Sequence, residues 1–365
     1  MYLFGGVALF LFTLQVISGG LLMLYYRPTE AEAHKSIKII MEQVPYGWLI
    51  RSVHAWGADF FIALVFLHLV VKAASAAYRK PREMTWLSGV LLLSLALASG
   101  FSGYLLPWTE LSYYATLVGT QIPGSLPVVG DWVVHLLRGG AQVTGDTITR
   151  FYAAHVFLLP LCYAVFLLVH LGLVQIQGQS LPLGLDPRSV RDNRPFFTEF
   201  LPLEFCLWLP LFGVIVSLAV LAPVAVGQQA NPLLPAPEGI KPEWYFLFLF
   251  QTFKFVPEAV GILLSAFLGL FLLLLPFIDT RSARGQKRHP ALILALFLIA
   301  LWAVVFEIIA LRAPGQAHQT SAFGGPLPHK LVSLTLLWAV IAFLVYYLRQ
   351  LAIENRRIRI LRTTP

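Results

Sequence analysis

The chain has 365 residues, 58% of them hydrophobic and only 12% charged, with a formal net charge of +8 and a mean hydropathy of +0.75. So apolar a chain is excluded from the soluble and the disordered classes and belongs with integral membrane proteins. The excess of positive charge does not point to nucleic acid, because it is spread in short blocks between apolar runs.

In chain order, eight apolar stretches are each long enough to cross about 30 Å of hydrocarbon as helices. They lie near residues 2–26, 47–72, 86–106, 152–175, 203–224, 259–278, 291–311 and 331–351, which predicts an all-α membrane protein of eight spans. The first has neither a basic leader nor a small-residue cleavage site, and reads as a span rather than a signal peptide. Basic blocks follow the even-numbered stretches: Lys72, Arg79, Lys80 and Arg82; Arg188, Arg191 and Arg194; Arg281, Arg284, Lys287 and Arg288; Arg349, Arg356, Arg357, Arg359 and Arg362. These are sixteen of the 26 Lys and Arg residues. The positive-inside rule therefore places those loops and both termini in the cytoplasm. The polar, Pro- and Arg-rich run 176–202 reads as a linker between an N-terminal part (1–175) and a C-terminal part (203–365). Loops 107–151 and 225–257 fall on the opposite side. Cys162 and Cys206 lie within apolar helices as packing residues, and there is no CxxCH or iron–sulfur cysteine pattern.

Four of the nine histidines lie within spans: His54 and His68 on the second, His155 and His170 on the fourth. One such histidine would be an ordinary satisfied core residue. Two matched pairs are not. A spacing of 14 separates His54 from His68 by about 21 Å and about 40° of helix face, and a spacing of 15 separates His155 from His170 by about 22 Å and about 60°. The two helices run parallel, so His54 meets the level of His155 and His68 that of His170. Facing imidazoles within a helix bundle can hold a six-coordinate haem that exchanges electrons. The first four helices are thus predicted to form a dihaem bundle. A zinc-type site would need more ligands at one depth. Gly5 and Gly19 on the first span, and Gly89 and Gly103 on the third, repeat the spacing of 14 and would leave room for flat macrocycles; ordinary small-residue packing is the competing reading. Arg51, Arg82 and Arg150 flank the histidine helices, where they could meet haem propionates or simply snorkel to the interface.

The loop segment Pro242-Glu243-Trp244-Tyr245 sets a carboxylate among aromatics on the non-cytoplasmic side. A carboxylate in so dry a setting can accept a proton from a bound hydroxyl. Asp59 and Glu307 are further acids within spans, with no assigned role.

The runs YYRPT, GWLIRSVHAW, KPREMTW, SGYLLPW, TRFYAAH and KPEWYF resemble, in order, the signature segments of the cytochrome b subunits of bc-type complexes. That resemblance covers nearly the whole chain. It implies two non-covalent b-type haems, with His54 and His155 on the low-potential iron of the quinol-oxidation side and His68 and His170 on the high-potential iron of the quinone-reduction side. It also implies that Glu243 accepts a proton from quinol, with Tyr245, Pro242, Trp244, Tyr113 and Tyr114 lining that site. The expected activity is the catalytic core of a quinol:cytochrome c oxidoreductase working by a Q cycle that translocates protons. The expected partners are a Rieske iron–sulfur protein, a c-type cytochrome or equivalent acceptor, membrane lipid and a second copy in a homodimer, but no nucleic acid; the expected site is a bacterial inner membrane. The first half looks more like the chloroplast-type branch, here fused to its second-half subunit, with an added eighth helix. Where that branch anchors an extra haem through cysteine, this chain has Leu3, so no covalent extra haem is expected. Asp192 and Arg194 are weak candidates for the quinone-reduction side.

Two other readings compete. A dihaem membrane anchor of a dehydrogenase would have about half as many helices and lack the Pro-Glu-Trp-Tyr loop. A haem-free transporter would leave four level-matched histidines unexplained and would be expected to carry internal repeats, which the two halves do not show.

Overall fold

The computed structural model describes residues 3–178, 180, 195–237, 240–279 and 290–312. The eighth predicted span (331–351), most of the 176–202 linker with Asp192 and Arg194, and the basic blocks beyond Arg82 lie outside the described residues.

The described residues are helical apart from loops and one isolated bridge, Thr109 to Gln229. Their helices are α1 (Phe4–Met23), α2 (Ala33–Glu42), α3 (Gly47–Ala74), α4 (Glu83–Leu105), α5 (Glu110–Gln121), α6 (Gly130–Arg138), α7 (Gly145–Ala153), α8 (Leu159–Gln177), α9 (Leu201–Leu221), α10 (Trp244–Phe253), α11 (Glu258–Ile278) and α12 (Pro290–Arg312). A π-helical turn, Ala154–Leu158, joins α7 to α8. Seven helical segments are long and apolar enough to span a membrane, and they coincide with the first seven predicted stretches. The fourth begins at Gly145, earlier than its apolar run, because the polar first turns of α7 continue it outward under a Thr144–Thr147 capping box.

α1 packs against α3 and α4 against α8, and α3 also contacts α4 and α9. At mid-depth these helices meet in an aromatic layer. Phe12 stacks on Tyr163 at 4.4 Å between ring centroids, and Phe61 lies 6.3 Å from Phe12 and 5.6 Å from Tyr163. Phe12 stands midway between Gly5 and Gly19, and Phe61 midway between His54 and His68. The two histidine levels are therefore separated by closely packed apolar side chains.

On the outer side, the loops form a cap. Amphipathic α2 buries Ala33, Ile37 and Ile40 and exposes Lys35 and Lys38. The strand-like contact between 108–110 and 228–230 is closed by Glu110 N–H to Gln228 O (2.9 Å) and Ala230 N–H to Trp108 O (3.0 Å). Buried Arg138 donates to Thr120 Oγ1, Ala141 O and Leu117 O, and so fastens α5 to α6.

At the opposite end of the bundle, nearer His68 and His170 and termed inner, a buried ion pair among the described residues ties the two halves of the chain. Asp279, at the end of α11, accepts from Arg79 Nε at 2.9 Å and from Tyr78 Oη at 3.0 Å, while Trp86 Nε1 donates to Leu272 O at 2.6 Å. The Arg79 and Asp279 side chains are 6% and 1% exposed, so removing the carboxylate takes the ion-pair partner from a buried guanidinium. Asp279→Ala should cost about 3–5 kcal/mol, read as a lowered thermal midpoint in detergent. An unchanged midpoint would show that the halves are held together elsewhere.

Candidate functional site

α3 and α8 carry the four histidines at two depths, and the π-helical turn accounts for their unequal spacing. Pro160 has no N–H to donate to Val156 O, and Leu159 N–H reaches back five residues to Ala154 O instead. This turn absorbs one extra residue just after His155. The spacing of 15 on this helix then behaves as the spacing of 14 does on α3, and both histidines keep one face. The wider divergence expected for a straight helix does not arise.

The rings of His54 and His155 lie 6.3 Å apart between centroids at 80° to one another. Two imidazole–metal bonds of about 2 Å and two ring radii of about 1.1 Å would set such rings about 6 Å apart. The pair therefore fits an iron between its rings. His68 lies within electrostatic range of His170 and of Lys72.

Serine hydroxyls fix the tautomers. Ser18 Oγ donates to Leu14 O at 2.6 Å and lies 2.9 Å from His54 Nδ1. With its own proton committed, that hydroxyl accepts from Nδ1–H and leaves Nε2 with a free lone pair. Ser88 repeats the arrangement, donating to Thr85 O (2.9 Å) and accepting from His170 Nδ1 (2.8 Å). Ser102 lies 3.2 Å from His155 Nδ1, which is also 2.9 Å from Ser99 O. A neutral imidazole held by Nδ1 with Nε2 free is the form that binds a metal. The fourth, His68 Nδ1, is buried and has no hydrogen-bond partner among the described residues.

Each glycine of the predicted set abuts one histidine. A Cβ on Gly19 would lie 3.1 Å from His54 Cε1, on Gly103 2.6 Å from His155 Cε1, on Gly89 3.3 Å from His170 Cε1, and on Gly5 3.7 Å from His68 Cε1. Any side chain at Gly103 would displace its ring. All four glycines thus serve the two histidine levels, and among the described residues no group of three or more metal-ligating side chains gathers elsewhere.

The three arginines are engaged by main-chain carbonyls. Arg51 donates to Val224 O at 2.6 Å and Ala225 O at 3.4 Å, Arg82 to Gly178 O at 2.9 Å and Gln177 O at 3.3 Å, and Arg150 to Leu136 O at 3.0 Å. Arg82 thereby caps the C-terminus of α8, where a cation is favoured.

Glu243 and Pro242 precede α10, and Glu243 is its N-cap residue. Trp244 Nε1 donates to Asp59 Oδ1 at 2.9 Å, which fixes α10 to the helix bearing His54. Burial, reinforced by the neighbouring Asp59 carboxylate, raises the Glu243 pKa well above the ordinary carboxylate range. Burial, with Glu243 close by, raises the Tyr245 phenol as well. The Tyr245 hydroxyl lies over Gly100, where a Cβ would come within 2.5 Å of it. Tyr113 and Tyr114 belong instead to the outer cap: Tyr113 packs on Trp108 (5.3 Å between centroids), and the Tyr114 hydroxyl donates to Leu234 O. Phe101, packed on that cap cluster and 6.2 Å from Phe246, is what links it to the α10 aromatics.

Sequence reading passed over one acid altogether. Glu204, in the first turn of α9, is 1% exposed; it accepts from Trp208 Nε1 at 3.2 Å, and its Oε1 has no partner among the described residues. Its carboxyl lies flat on Gly6, the neighbour of Gly5, and so stands at the inner histidine level. The serines were equally unremarked, although Ser-Gly recurs at 18–19, 88–89, 99–100 and 102–103, and all but the 99–100 pair face a histidine.

Two family models match: cytochrome b/b6/petB over residues 1–178 and cytochrome b(C-terminal)/b6/petD over residues 229–325. The chain is 44% identical over 322 residues to a cytochrome bc complex cytochrome b subunit of Chlorobaculum thiosulfatiphilum, covering 85% of this chain and 75% of the relative. It is 45% identical over 182 residues to cytochrome b6 of Gloeobacter violaceus (50% and 85%) and 32% identical over 318 residues to cytochrome b of Rickettsia prowazekii (86% and 78%). A chain of a hyperthermophilic respiratory Complex III superposes with a TM-score of 0.75 at 33% identity, covering 94% of this chain and 89% of that one. With two histidine pairs built into a helical fold that has seven apolar spans among the described residues, and these likenesses running along both halves, the chain belongs to the cytochrome b family, as the multi-pass, haem-binding cytochrome b subunit at the catalytic core of a bc-type oxidoreductase complex.

Proposed function

We propose that the chain holds two b-type haems, His54 and His155 on the outer and His68 and His170 on the inner, and passes electrons from quinol on one membrane face to quinone on the other in a Q cycle. The observation that carries this reading is the pairing of every intramembrane histidine with a glycine at two matched depths. When bound, each haem supplies one-electron exchange. The protein's own part is to hold three of the four imidazoles in their Nδ1–H form, keep the macrocycle planes clear of side chains and fill the midplane between them.

At the outer face, Glu243 accepts a proton from quinol. Its raised pKa makes it a better base than an ordinary carboxylate, and Trp244, anchored on Asp59, holds it beside the His54 helix. Tyr245, set against Gly100, lines the ring, as does Pro242, and Tyr113 and Tyr114 line the outer approach. At the inner face, Glu204, buried against Gly6, gives a proton to the reduced quinone. Protons leave outside and enter inside, which couples electron transfer to their translocation. A Rieske protein takes the other electron and hands it to a c-type cytochrome or equivalent carrier. We further infer a homodimeric complex in a bacterial inner membrane, with 1–175 as the haem-bearing part, 203–365 as the quinol-loop part and both termini cytoplasmic.

The reduced-minus-oxidised visible spectrum of the purified complex, with a pyridine haem assay, should give two b-type haems per chain, and His155→Ala should remove only the outer one. One haem or none in the unaltered protein would sink the reading. Glu243→Gln should slow quinol oxidation by about 10²–10⁴-fold with both haem signals retained, and unaltered turnover would remove Glu243 from the proton path. In the unaltered protein the deprotonated carboxylate is the active form, so the rate should rise with pH through the raised pKa of Glu243, and that rise should vanish in the variant.

A further inference from the structure

Three of the four histidines share one arrangement, and the fourth departs from it. Ser18, Ser88 and Ser102 each precede the glycine that faces a histidine, and each places its hydroxyl on that histidine's Nδ1. At the corresponding place before Gly5 stands Phe4, which has no hydroxyl, and His68 Nδ1 is the one left without a partner among the described residues. The correspondence is close: Phe4 and Ser18 lie one 14-residue step apart on α1, as do Gly5 and Gly19, while His68 and His54 lie the same step apart on α3.

A hydrogen bond accepted from Nδ1–H pushes an axial imidazole towards imidazolate. The ligand then donates more strongly, favours oxidised iron and lowers the reduction potential. At the outer level both ligands carry that bond; at the inner level only His170 does.

We propose that residue 4 is a potential-setting position: by carrying Phe rather than a hydroxyl just before the glycine that faces His68, the chain leaves this ligand the weakest donor of the four and raises the inner haem potential above the outer. This rests on the dihaem reading above and adds to it a residue-level cause for the direction of electron flow. Phe4 is a positioning residue acting through His68, and its effect falls on potential rather than on haem binding.

The test is a redox titration of the haem spectrum in the purified complex, with low-temperature EPR of the oxidised haems, for the unaltered protein, Phe4→Ser and Ser18→Ala. Phe4→Ser should lower the inner midpoint and shift its g values while the outer haem stays put. Ser18→Ala should raise the outer midpoint, so that both changes narrow the gap. Two haems with unmoved midpoints in Phe4→Ser would overturn the proposal. Should Phe4→Ser fail to take up its inner haem, Ser18→Ala decides alone: a raised outer midpoint supports it and an unmoved one overturns it. Absence of two haems in the unaltered protein would instead count against the dihaem reading itself.

Discussion

Everything else in the bundle is arranged around the cost of placing four imidazoles in a membrane. An imidazole there has two nitrogens to satisfy, and hydrocarbon offers neither donor nor acceptor. A serine preceding the facing glycine meets that demand at three of the four sites, because a helical serine can give its proton to the carbonyl three or four residues earlier and still accept from Nδ1–H. The glycine beside it removes the side chain that would otherwise fill the ring's space. A two-residue unit, repeated on α1 and α4, thus solves polarity and sterics together.

The Pro242–Tyr245 segment is held in register with the histidine pair His54 and His155. The link is direct: Asp59, on the same helix as His54, receives the Trp244 indole and lies close enough to Glu243 to help raise its pKa. A carboxylate with no role assigned by sequence thereby couples the position of α10 and the pKa of Glu243 to the helix that carries His54. The aromatic layer of Phe12, Phe61 and Tyr163 does the complementary task at mid-depth, excluding water between the two levels.

The two halves of the chain meet through different chemistry on the two sides. Inside, the buried Arg79–Asp279 pair and the Trp86 indole bond lock the turn between α3 and α4 to the end of α11. Outside, Arg51 and Trp56 of α3 donate to the carbonyls of Val224, Ala225 and Ala222 that follow α9. Arg51, one of the three arginines flanking the histidine helices, therefore has a structural duty. Glu204, brought against Gly6 by the packing of α9 on α1, carries a carboxylate of the C-terminal part to the level of His68 and His170.

The sequence alone determined the seven spans described, the four histidines, their glycines at 14-residue steps and the Pro-Glu-Trp-Tyr segment, because each is a matter of hydropathy or helical period within one segment. It also held, unread, the Ser-Gly repeat and the Pro160 that forces the π-helical turn. Only the tertiary structure decided which glycine meets which histidine, that Asp59 belongs to Trp244, that Glu204 reaches the inner level, and that Tyr113 and Tyr114 sit in the outer cap rather than among the α10 aromatics. Those are contacts between helices far apart in the chain. They depend on how each helix is rotated and crossed against its neighbours, and no periodicity within a single segment carries that information.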